Sequence, residues 1–422
     1  MGKTVDVGPS SGRAADADLP VLAVVCGAAS YGIFPLSEAA AGQCRLAFLL
    51  DAASPVARAL RRLGPIVDIV GTDDDEALAA ARSLSPDGIL TFSDPHLLRT
   101  SALAEGLGLP FHSARTAAAL ADKVEQRRVL AAAGLPMPRS LAVPEGKEPL
   151  GELDGLRFPV VVKPRNSAGS RDTTLAVDRD QVRQAVAAAR ADGEAGVVIE
   201  EYLPDDPAMA TSDVASFVSV ESVAGAGVLR HVAVTGKFPL APPFRETGHF
   251  IPSHLGGETL DGVLEVTTRA LTGLGITTGC VHTEVKLTPD GPRIIEVNGR
   301  VAGAVPDVLL AAGGPSLLRM AMAAALGEVP AGGLAACDRV GYRVNLQPPE
   351  WARRVRSVRG IDQLPGPPDV ASVTLLRQPG DEVDWRRGTD ENVVAVIGAT
   401  GSLDEVHRLR HRIEETVVVD YE

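Results

Sequence analysis

Several kinds of residue are scarce in this 422-residue sequence, and each scarcity excludes a class of protein. The four cysteines lie far apart and lack the spacing of metal ligands. We therefore expect buried, reduced thiols rather than disulfides or a cysteine metal site. Aromatic residues make up 4% of the chain and hydrophobic residues 45%, a balance typical of a soluble α/β enzyme.

Long hydrophobic runs are also missing. The longest wholly apolar run, residues 320–326, is far shorter than the ~20 residues that a membrane span requires. Residues 1–18 contain one lysine, one arginine and no apolar segment, so we predict a disordered tail rather than a signal peptide. A net charge of −13 argues against a nucleic-acid partner. These features together predict a cytoplasmic protein without nucleic-acid or membrane partners.

Lysine is the third scarce residue, with six among the 41 basic residues. A lysine that is kept where arginine dominates is expected at positions that need a compact ammonium group. Four of the six fall in the motifs described next: Lys123, Lys163, Lys237 and Lys286.

The length predicts several domains, because one hydrophobic core rarely serves 422 residues. From residue 19, short apolar strands alternate with helices, which indicates a parallel sheet covered on both faces. The turn at 27–32 lacks a dinucleotide fingerprint and so argues against a dehydrogenase. Hairpins and shorter strands follow, and the predicted fold class is α/β and α+β multidomain. The predicted parts are a tail (1–18), an N-terminal α/β domain (19–115), a linking helix with a lid subdomain (116–205), a central subdomain (206–330) and a C-terminal α/β part (331–422).

The most informative segment is a predicted hairpin around the turn Pro289-Asp290-Gly291. With Asp290 at its centre, Glu284 faces Glu296 and His282 faces Asn298. Two opposed carboxylates repel unless a proton or a cation lies between them, and hard oxygen ligands suit Mg²⁺. We therefore predict a magnesium site, the structural alternative being a solvated strand face. One face carries Glu284, Glu296, Asn298 and Arg300, and the core face carries Val281, Val285, Ile295 and Val297.

A second segment combines a buried strand, a lysine and a loop of small residues. The strand at 159–163 ends in Lys163, and the loop contains Ser167, Gly169 and Ser170. Such residues let backbone amides and hydroxyls approach an anion closely. Because strands flank the loop, it is no Walker loop and is predicted to cover phosphates, with a plain hairpin loop as the alternative.

In their order, these segments resemble the ATP-grasp superfamily, and the resemblance covers nearly the whole chain. It rests on Asp122-Lys123, Val162-Lys163-Pro164 with its loop, Glu200-Glu201-Tyr202-Leu203, and Glu284, Glu296, Asn298 and Arg300. The resemblance implies an ATP-grasp fold after an N-terminal parallel α/β pre-ATP-grasp domain, with ATP and two Mg²⁺ ions as cofactors.

The resemblance also implies a role for each matched residue. Lys123 and Lys163 would hold the ATP phosphates beneath a lid formed by Ser167, Gly169 and Ser170. Glu200, Glu201, Tyr202 and Leu203 would line the adenine site, and Glu284, Glu296 and Asn298 would bind Mg²⁺. The chain departs from the family at Asp172, where a glycine is usual, and in 205–213, where no ribose-binding acid is obvious.

Within the superfamily the chain is most similar to the L-amino-acid ligases, which make dipeptides. Glu246 and His249 match a segment at the amino-acid pocket, and Lys237 matches a lysine nearby. Arg300 and Gly303 match an arginine and a glycine around the acyl phosphate. In the best-studied members a bulky tryptophan near that glycine limits the first amino acid to a small side chain. Here Ala304 follows the glycine, so the resemblance implies that a larger acid fits.

The resemblance implies an ATP-dependent carboxylate–amine ligase that forms an amide through an acyl phosphate. Its partners would be a small carboxylic acid and an amine, and a homodimer is common in the family. Two alternatives stay open: a carboxylase or purine-pathway ligase using bicarbonate or a phosphorylated amine, and a nucleotide-binding protein without catalysis. The 246–249 segment argues against the first, and the intact acids and lysines argue against the second.

Overall fold

The computed structural model describes residues 18–27, 33–147, 153–194 and 196–422. The tail predicted at 1–18 therefore lies outside the described residues except for Asp18. The turn at 27–32 also lies outside them except for Gly27. No helix in the described ranges is long and apolar enough to cross a membrane.

The N-terminal part contains the predicted parallel sheet, in the strand order β3-β2-β1-β4. Its elements are β1 (Val21–Val25), α1 (Ile33–Ala40), β2 (Arg45–Leu50), α2 (Pro55–Leu60), β3 (Ile66–Asp68), α3 (Asp74–Ser83), β4 (Gly88–Thr91) and α4 (Leu97–Leu107). Val24 and Phe48 enter one hydrophobic cluster, whereas Val25 and Leu49 enter another on the opposite face. Both faces are thus buried, as continuous apolar strands require.

The predicted linking helix is instead two helices, α5 (Ala114–Ala121) and α6 (Lys123–Ala132). Asp122 between them has extended backbone angles, and its carboxylate accepts hydrogen bonds from the N–H groups of Val124 and Glu125. Asp122 is therefore the N-cap of α6, and Lys123 occupies the first helical position.

A four-stranded antiparallel sheet, in the order β5-β8-β6-β7, carries the loop of small residues between β6 and β7. Its elements are β5 (Ser140–Pro144), β6 (Val160–Pro164), β7 (Thr174–Ala176), α7 (Arg179–Ala191) and β8 (Gly196–Glu201). Val182 and Val186 of α7 pack with Val160 and Val162 in a hydrophobic cluster that belongs to this unit alone. This four-stranded sheet, which we call the lid sheet, therefore has its own core.

The largest sheet has eight strands in the order β13-β12-β9-β10-β11-β14-β17-β16. The remaining elements are β9 (Phe217–Gly225), β10 (Val228–Lys237), β11 (Gly248–Ile251), α8 (Gly257–Leu274), β12 (Gly279–Thr288), β13 (Gly291–Asn298), α9 (Val305–Ala311), α10 (Leu317–Ala325), β14 (Val340–Leu346), β15 (Val355–Arg359), β16 (Ser372–Leu375), β17 (Val394–Thr400), α11 (Leu403–Thr416) and β18 (Val418–Tyr421). Because β11 pairs with β14, this sheet runs across the predicted boundary at 330/331.

The hairpin of β12 and β13 has the predicted pairing at its functional end but not at its turn. Glu284 faces Glu296 and His282 faces Asn298, whereas Thr288 pairs directly with Gly291. A bulge between Glu284 and Val285 reconciles the two registers, because it gives β13 one extra residue. The core residue is consequently Ile294, at 1% exposure, and the prediction that Ile295 faces the core is wrong.

Candidate active site

Two of the predicted lysines lie in one cluster with two of the predicted acids. Lys163, near the end of β6, places Nζ 2.7 Å from Oε2 of Glu200. Lys123, at the start of α6, places Nζ 2.8 Å from Oε1 of Glu296 and donates to the Ser167 carbonyl. The lid sheet, α6 and the β12–β13 hairpin therefore meet at one point.

Arg127, which belongs to none of the predicted motifs, completes this cluster. Its Nε lies 2.6 Å from Oε1 of Glu200, and its Nη2 lies 3.1 Å from Oε2. Arg127 also donates to the Ile295 carbonyl at the bulge, at 2.5 Å. Its spacing from Lys123, one turn along α6, is the signal that could have found it.

The charges in this cluster have a defined balance. Burial would raise the pKa of Glu200, but the charges of Arg127 and Lys163 outweigh burial and hold that pKa well below its usual range. Burial lowers the pKa of Lys163, although the charge of Glu200 opposes the effect. The cluster thus holds an ionised carboxylate between two cationic side chains.

The predicted metal ligands lie on neighbouring positions of the hairpin. Glu284 and Glu296 are direct cross-strand partners, and their side chains are 25% and 20% exposed. Asn298 is buried two residues beyond Glu296. Two carboxylates and an amide oxygen fit Mg²⁺, which takes few protein ligands and completes its shell with phosphate or water oxygens. Within the described ranges, no group of three or more His, Cys, Asp or Glu side chains could hold a metal ion.

The buried acid Glu221 is connected through His282 to Glu284, one of the metal-ligand candidates. Nδ1 of His282 is 2.7 Å from Oε1 of Glu221, and its Nε2 is 3.6 Å from Oε1 of Glu284. Burial would lower the pKa of His282, but the charge of Glu221 raises it to about 9. Burial would raise the pKa of Glu284, but His282 and Lys237 lower it to about 2. The sequence signal that could have identified Glu221 is an acid within the mostly apolar and small residues of β9.

The residues matched to an amino-acid pocket lie at the end of β10 (Lys237), on β11 (His249) and just before β11 (Glu246). Nζ of Lys237 is 2.7 Å from Oε1 of Glu246, and Lys237 pairs with His249 across the two strands. His249 is 5% exposed, so it does not belong to a surface loop. Neither of its ring nitrogens has a hydrogen-bond partner among the described residues. Burial, then the charge of Lys237, lowers the pKa of His249 well below its usual range, so the imidazole is neutral.

Arg300 is held by the N-terminal domain. Its Nε and Nη2 each lie 2.7 Å from Oδ2 of Asp94, which follows β4 at the carboxyl end of the parallel sheet. No local pattern in the sequence pointed to Asp94. Gly303 is exposed, and a Cβ added there would meet nothing within 4 Å. Ala304 is buried and directly precedes α9.

The segment predicted to bind adenine leaves β8 next to the cluster. Glu201 turns toward Arg157, with a closest approach of 2.9 Å, so its side chain points away from Lys163. Tyr202 donates from its hydroxyl to Asp205 at 3.0 Å and from its backbone N–H to the Pro159 carbonyl. These contacts place Leu203 just beyond the strand.

The loop of small residues extends from the lid sheet to the C-terminal part. Gly169 and Ser170 both have positive φ angles, of 66° and 58°. The Gly169 carbonyl accepts a hydrogen bond from the Thr389 N–H at 2.8 Å, and the Asp172 N–H donates to the Arg386 carbonyl at 2.8 Å. No motif in the sequence pointed to these C-terminal residues.

Comparison with known proteins identifies this arrangement. Residues 156–306 match a family model described as an ATP-grasp domain. The chain contains an ATP-grasp domain. The matched range contains Lys163, Glu200, Glu284, Glu296 and Arg300, whereas Lys123 precedes it.

Among curated proteins, a D-alanine–D-alanine ligase from Gloeobacter violaceus is 32% identical over 208 residues, which are 47% of this chain and 66% of that protein. An alanine–anticapsin ligase from Bacillus subtilis is 25% identical over 243 residues, 54% of this chain and 51% of the relative. The chain therefore spans about half to two thirds of the length of these relatives. Both are named as ligases, in agreement with the predicted enzyme class.

Among solved structures, the L-amino acid ligase from Bacillus licheniformis superposes with a TM-score of 0.77 at 21% identity. The superposition covers 96% of this chain and 99% of the other. The ATP-grasp fold with an N-terminal parallel sheet, expected from the sequence, is thereby confirmed.

Proposed function

We propose that this ATP-grasp protein is a carboxylate–amine ligase that forms an amide bond through an acyl phosphate and releases ADP and phosphate. Amino acids, or a precursor that resembles them, are the proposed substrates. One observation carries the proposal: the opposed Glu284 and Glu296 lie in the same cluster as Lys123 and Lys163. A nucleotide phosphate chain with its magnesium needs this combination of hard anionic ligands and ammonium groups.

The nucleotide would lie between the lid sheet and the hairpin. Lys123 and Lys163 would bind its phosphates, which would replace Glu296 and Glu200 as their partners. The loop with Ser167, Gly169 and Ser170 would add backbone and hydroxyl donors. The adenine would lie against the segment of Glu200, Glu201, Tyr202 and Leu203. The Leu203 N–H has no hydrogen-bond partner among the described residues, which leaves it as a donor for the adenine edge.

Glu284, Glu296 and Asn298 would hold the magnesium ions, with two ions expected. Bound magnesium neutralises charge on the phosphoryl group during its transfer. The low pKa of Glu284 keeps that ligand ionised at neutral pH. His282, which contacts Glu221 with one ring nitrogen and Glu284 with the other, would hold Glu284 in its orientation.

The chemistry would proceed in two steps. A carboxylate oxygen of the acid attacks the γ-phosphorus, the bond to ADP breaks, and an acyl phosphate forms. The amine then attacks the acyl carbon and phosphate leaves. Arg300 and the Gly303 N–H would stabilise the oxyanion of that step. Neutral His249 would accept the proton of the amine, and Glu246 with Lys237 would orient the amine. Ala304 in place of a bulky residue would let a larger acid enter.

The proposal is tested by incubating the full chain with ATP, Mg²⁺ and pairs from a pool of L-amino acids. Coupled products detected by mass spectrometry, together with ADP and phosphate, would support it. Formation of AMP and pyrophosphate would exclude the acyl phosphate. Labelled bicarbonate fixed without any amide product would instead favour the carboxylating alternative.

A further inference from the structure

The loop of small residues meets a short C-terminal segment, residues 386–389, which we call the latch. Two backbone hydrogen bonds of 2.8 Å join them, from the Thr389 N–H to the Gly169 carbonyl and from the Asp172 N–H to the Arg386 carbonyl. Both bonds use backbone groups, so they depend on the shapes of the two segments rather than on their side chains. The latch begins 185 residues after the end of β8 (386 − 201) but touches the loop of small residues between β6 and β7.

Gly388 makes this close approach feasible. Its backbone angles, φ 78° and ψ −148°, are ones that only glycine adopts readily. A Cβ added at Gly388 would collide with the Gly169 carbonyl oxygen and lie 2.7 Å from the Arg171 nitrogen. Any side chain at this position would therefore push the loop away from the latch.

The other side of the latch contacts the candidate amino-acid pocket. Thr389 Oγ1 accepts a hydrogen bond from the Glu246 N–H at 3.1 Å. Gln347 Nε2 donates to the carbonyls of both Glu246 and Thr389, at 2.9 Å each. Thr389 is half-buried. Its backbone N–H bonds to the loop of small residues, and its hydroxyl bonds to Glu246, the ion-pair partner of Lys237.

We propose that the latch couples closure of the loop of small residues to the position of Glu246, with Thr389 as the positioning residue. The coupling follows a contiguous hydrogen-bonded path from Gly169 through Thr389 to Glu246. The meaning of that path for ligation rests on the proposed function. Nucleotide binding and ordering of the amine pocket become one event, so the acyl phosphate forms only when the amine can be held beside it.

Four variants of the full chain test the latch: Gly388→Ala, Thr389→Val, Thr389→Ser and, as a matched control, Gly366→Ala. Gly366 is exposed, has no positive φ angle and has nothing within 4 Å of an added Cβ. Hydrogen exchange is measured for the backbone amides of 168–172 and 245–247, with Mg²⁺ and a non-hydrolysable ATP analogue. Phosphate released per coupled product is measured in parallel, and thermal unfolding confirms that each variant is folded.

Each variant has its own expected result. Gly388→Ala should lose the protection of the 168–172 amides, whereas Gly366→Ala should retain it. Thr389→Val keeps the backbone bond to Gly169 but loses its hydroxyl, so only the Glu246 amide should exchange faster, by roughly five- to tenfold. Thr389→Ser should restore that protection. Thr389→Val should also release more phosphate per product than the wild-type chain.

Wild-type protection of the Glu246 amide in Thr389→Val, or of the loop in a folded Gly388→Ala, would overturn the proposal. If no substrate pair is ligated, the exchange measurements still decide whether the latch exists. Failure of the proposed function is thus separated from failure of the coupling.

Discussion

At the scale of single residues, the opposed acids of the hairpin carry the proposed chemistry. We expect Glu284→Gln and Glu296→Gln each to lower kcat/KM for ATP consumption by at least about a hundredfold, because each removes one charged metal ligand. The Mg²⁺ concentration for half-maximal activity should rise as well. Asp290→Asn is the control, since it removes an exposed carboxylate from the turn of the same hairpin. Near wild-type activity in either glutamine variant would refute the metal assignment.

Glu200 gives a prediction about stability and pH. Glu200→Gln leaves Arg127 and Lys163 buried without their anion, so unfolding at pH 7 should be easier by about 3–5 kcal/mol. The pKa of Glu200 is depressed in the folded protein, so its stabilisation is complete above the pKa of the unfolded chain. That stabilisation is lost as the pH falls toward the folded pKa.

Urea unfolding at several pH values checks this prediction, and the difference between Glu200→Gln and wild type should shrink below about pH 4. Glu201→Gln is the matched control, because the Arg157 partner of Glu201 is 86% exposed. Such a pair contributes about 1 kcal/mol or less. Equal destabilisation in the two variants would contradict the buried-cluster account.

At the scale of secondary structure, Asp122 sets both a helix boundary and the place of Lys123. Its carboxylate caps α6 and accepts from Arg165 at 2.8 Å. Asp122→Ala should destabilise the fold by about 1–2 kcal/mol, because the N-cap of α6 is lost. It should also raise the KM for ATP, because Lys123 at the first position of α6 is then held less firmly.

The cap of α7 offers a control for this change. Asp178 is exposed, and its carboxylate accepts from the Gln181 N–H in the first turn of the same helix. Asp178→Ala should destabilise the fold by a similar amount and leave the KM for ATP unchanged. Chemical denaturation and ATP kinetics on both variants make the comparison, and a matching rise in KM for Asp178→Ala would refute the link to Lys123.

The elements also show how far sequence reasoning extends here. Strand alternation and turn residues correctly predicted that Glu284 faces Glu296. The prediction placed Asp290 at the centre of the turn, whereas the structure uses a tighter turn and a bulge. A bulge leaves no mark in the alternation of so short a strand, which is why Ile295 was placed in the core. Asp122 was similarly hidden in an alanine-rich run whose helical pattern continues past it.

The contacts that sequence reasoning missed come from distant parts of the chain. Asp94 and Thr389 lie in stretches without any motif, and only the folded chain brings them to Arg300 and Gly169. Arg127 and Glu221 carried weak local signals, one from helical spacing and the other from an acid inside a buried strand. Local patterns therefore pointed to the proposed reacting groups but not to the residues that contact them from distant parts of the chain.

At the scale of the whole molecule, the eight-stranded sheet unites the central and C-terminal parts. Phe238 and Phe250 share one hydrophobic cluster with Tyr342, Val344 and residues of β17. A chain that ends at residue 330 would expose this cluster and leave the edge of β11 unpaired, so it should be insoluble or fail to unfold cooperatively. Soluble expression and thermal unfolding of residues 1–330 test this. A cooperative transition like that of the full chain would show that the two parts fold independently.

The ion pair between Asp94 and Arg300 bears on how such proteins can be recombined. The arginine proposed to stabilise the oxyanion is paired with a carboxylate of the N-terminal domain, so in the proposed mechanism that domain would contribute to the reaction centre and not only support it. Chimaeras that exchange the first hundred residues between relatives would keep every phosphate-binding group and still misalign this arginine, unless the incoming segment supplies a carboxylate at the same place.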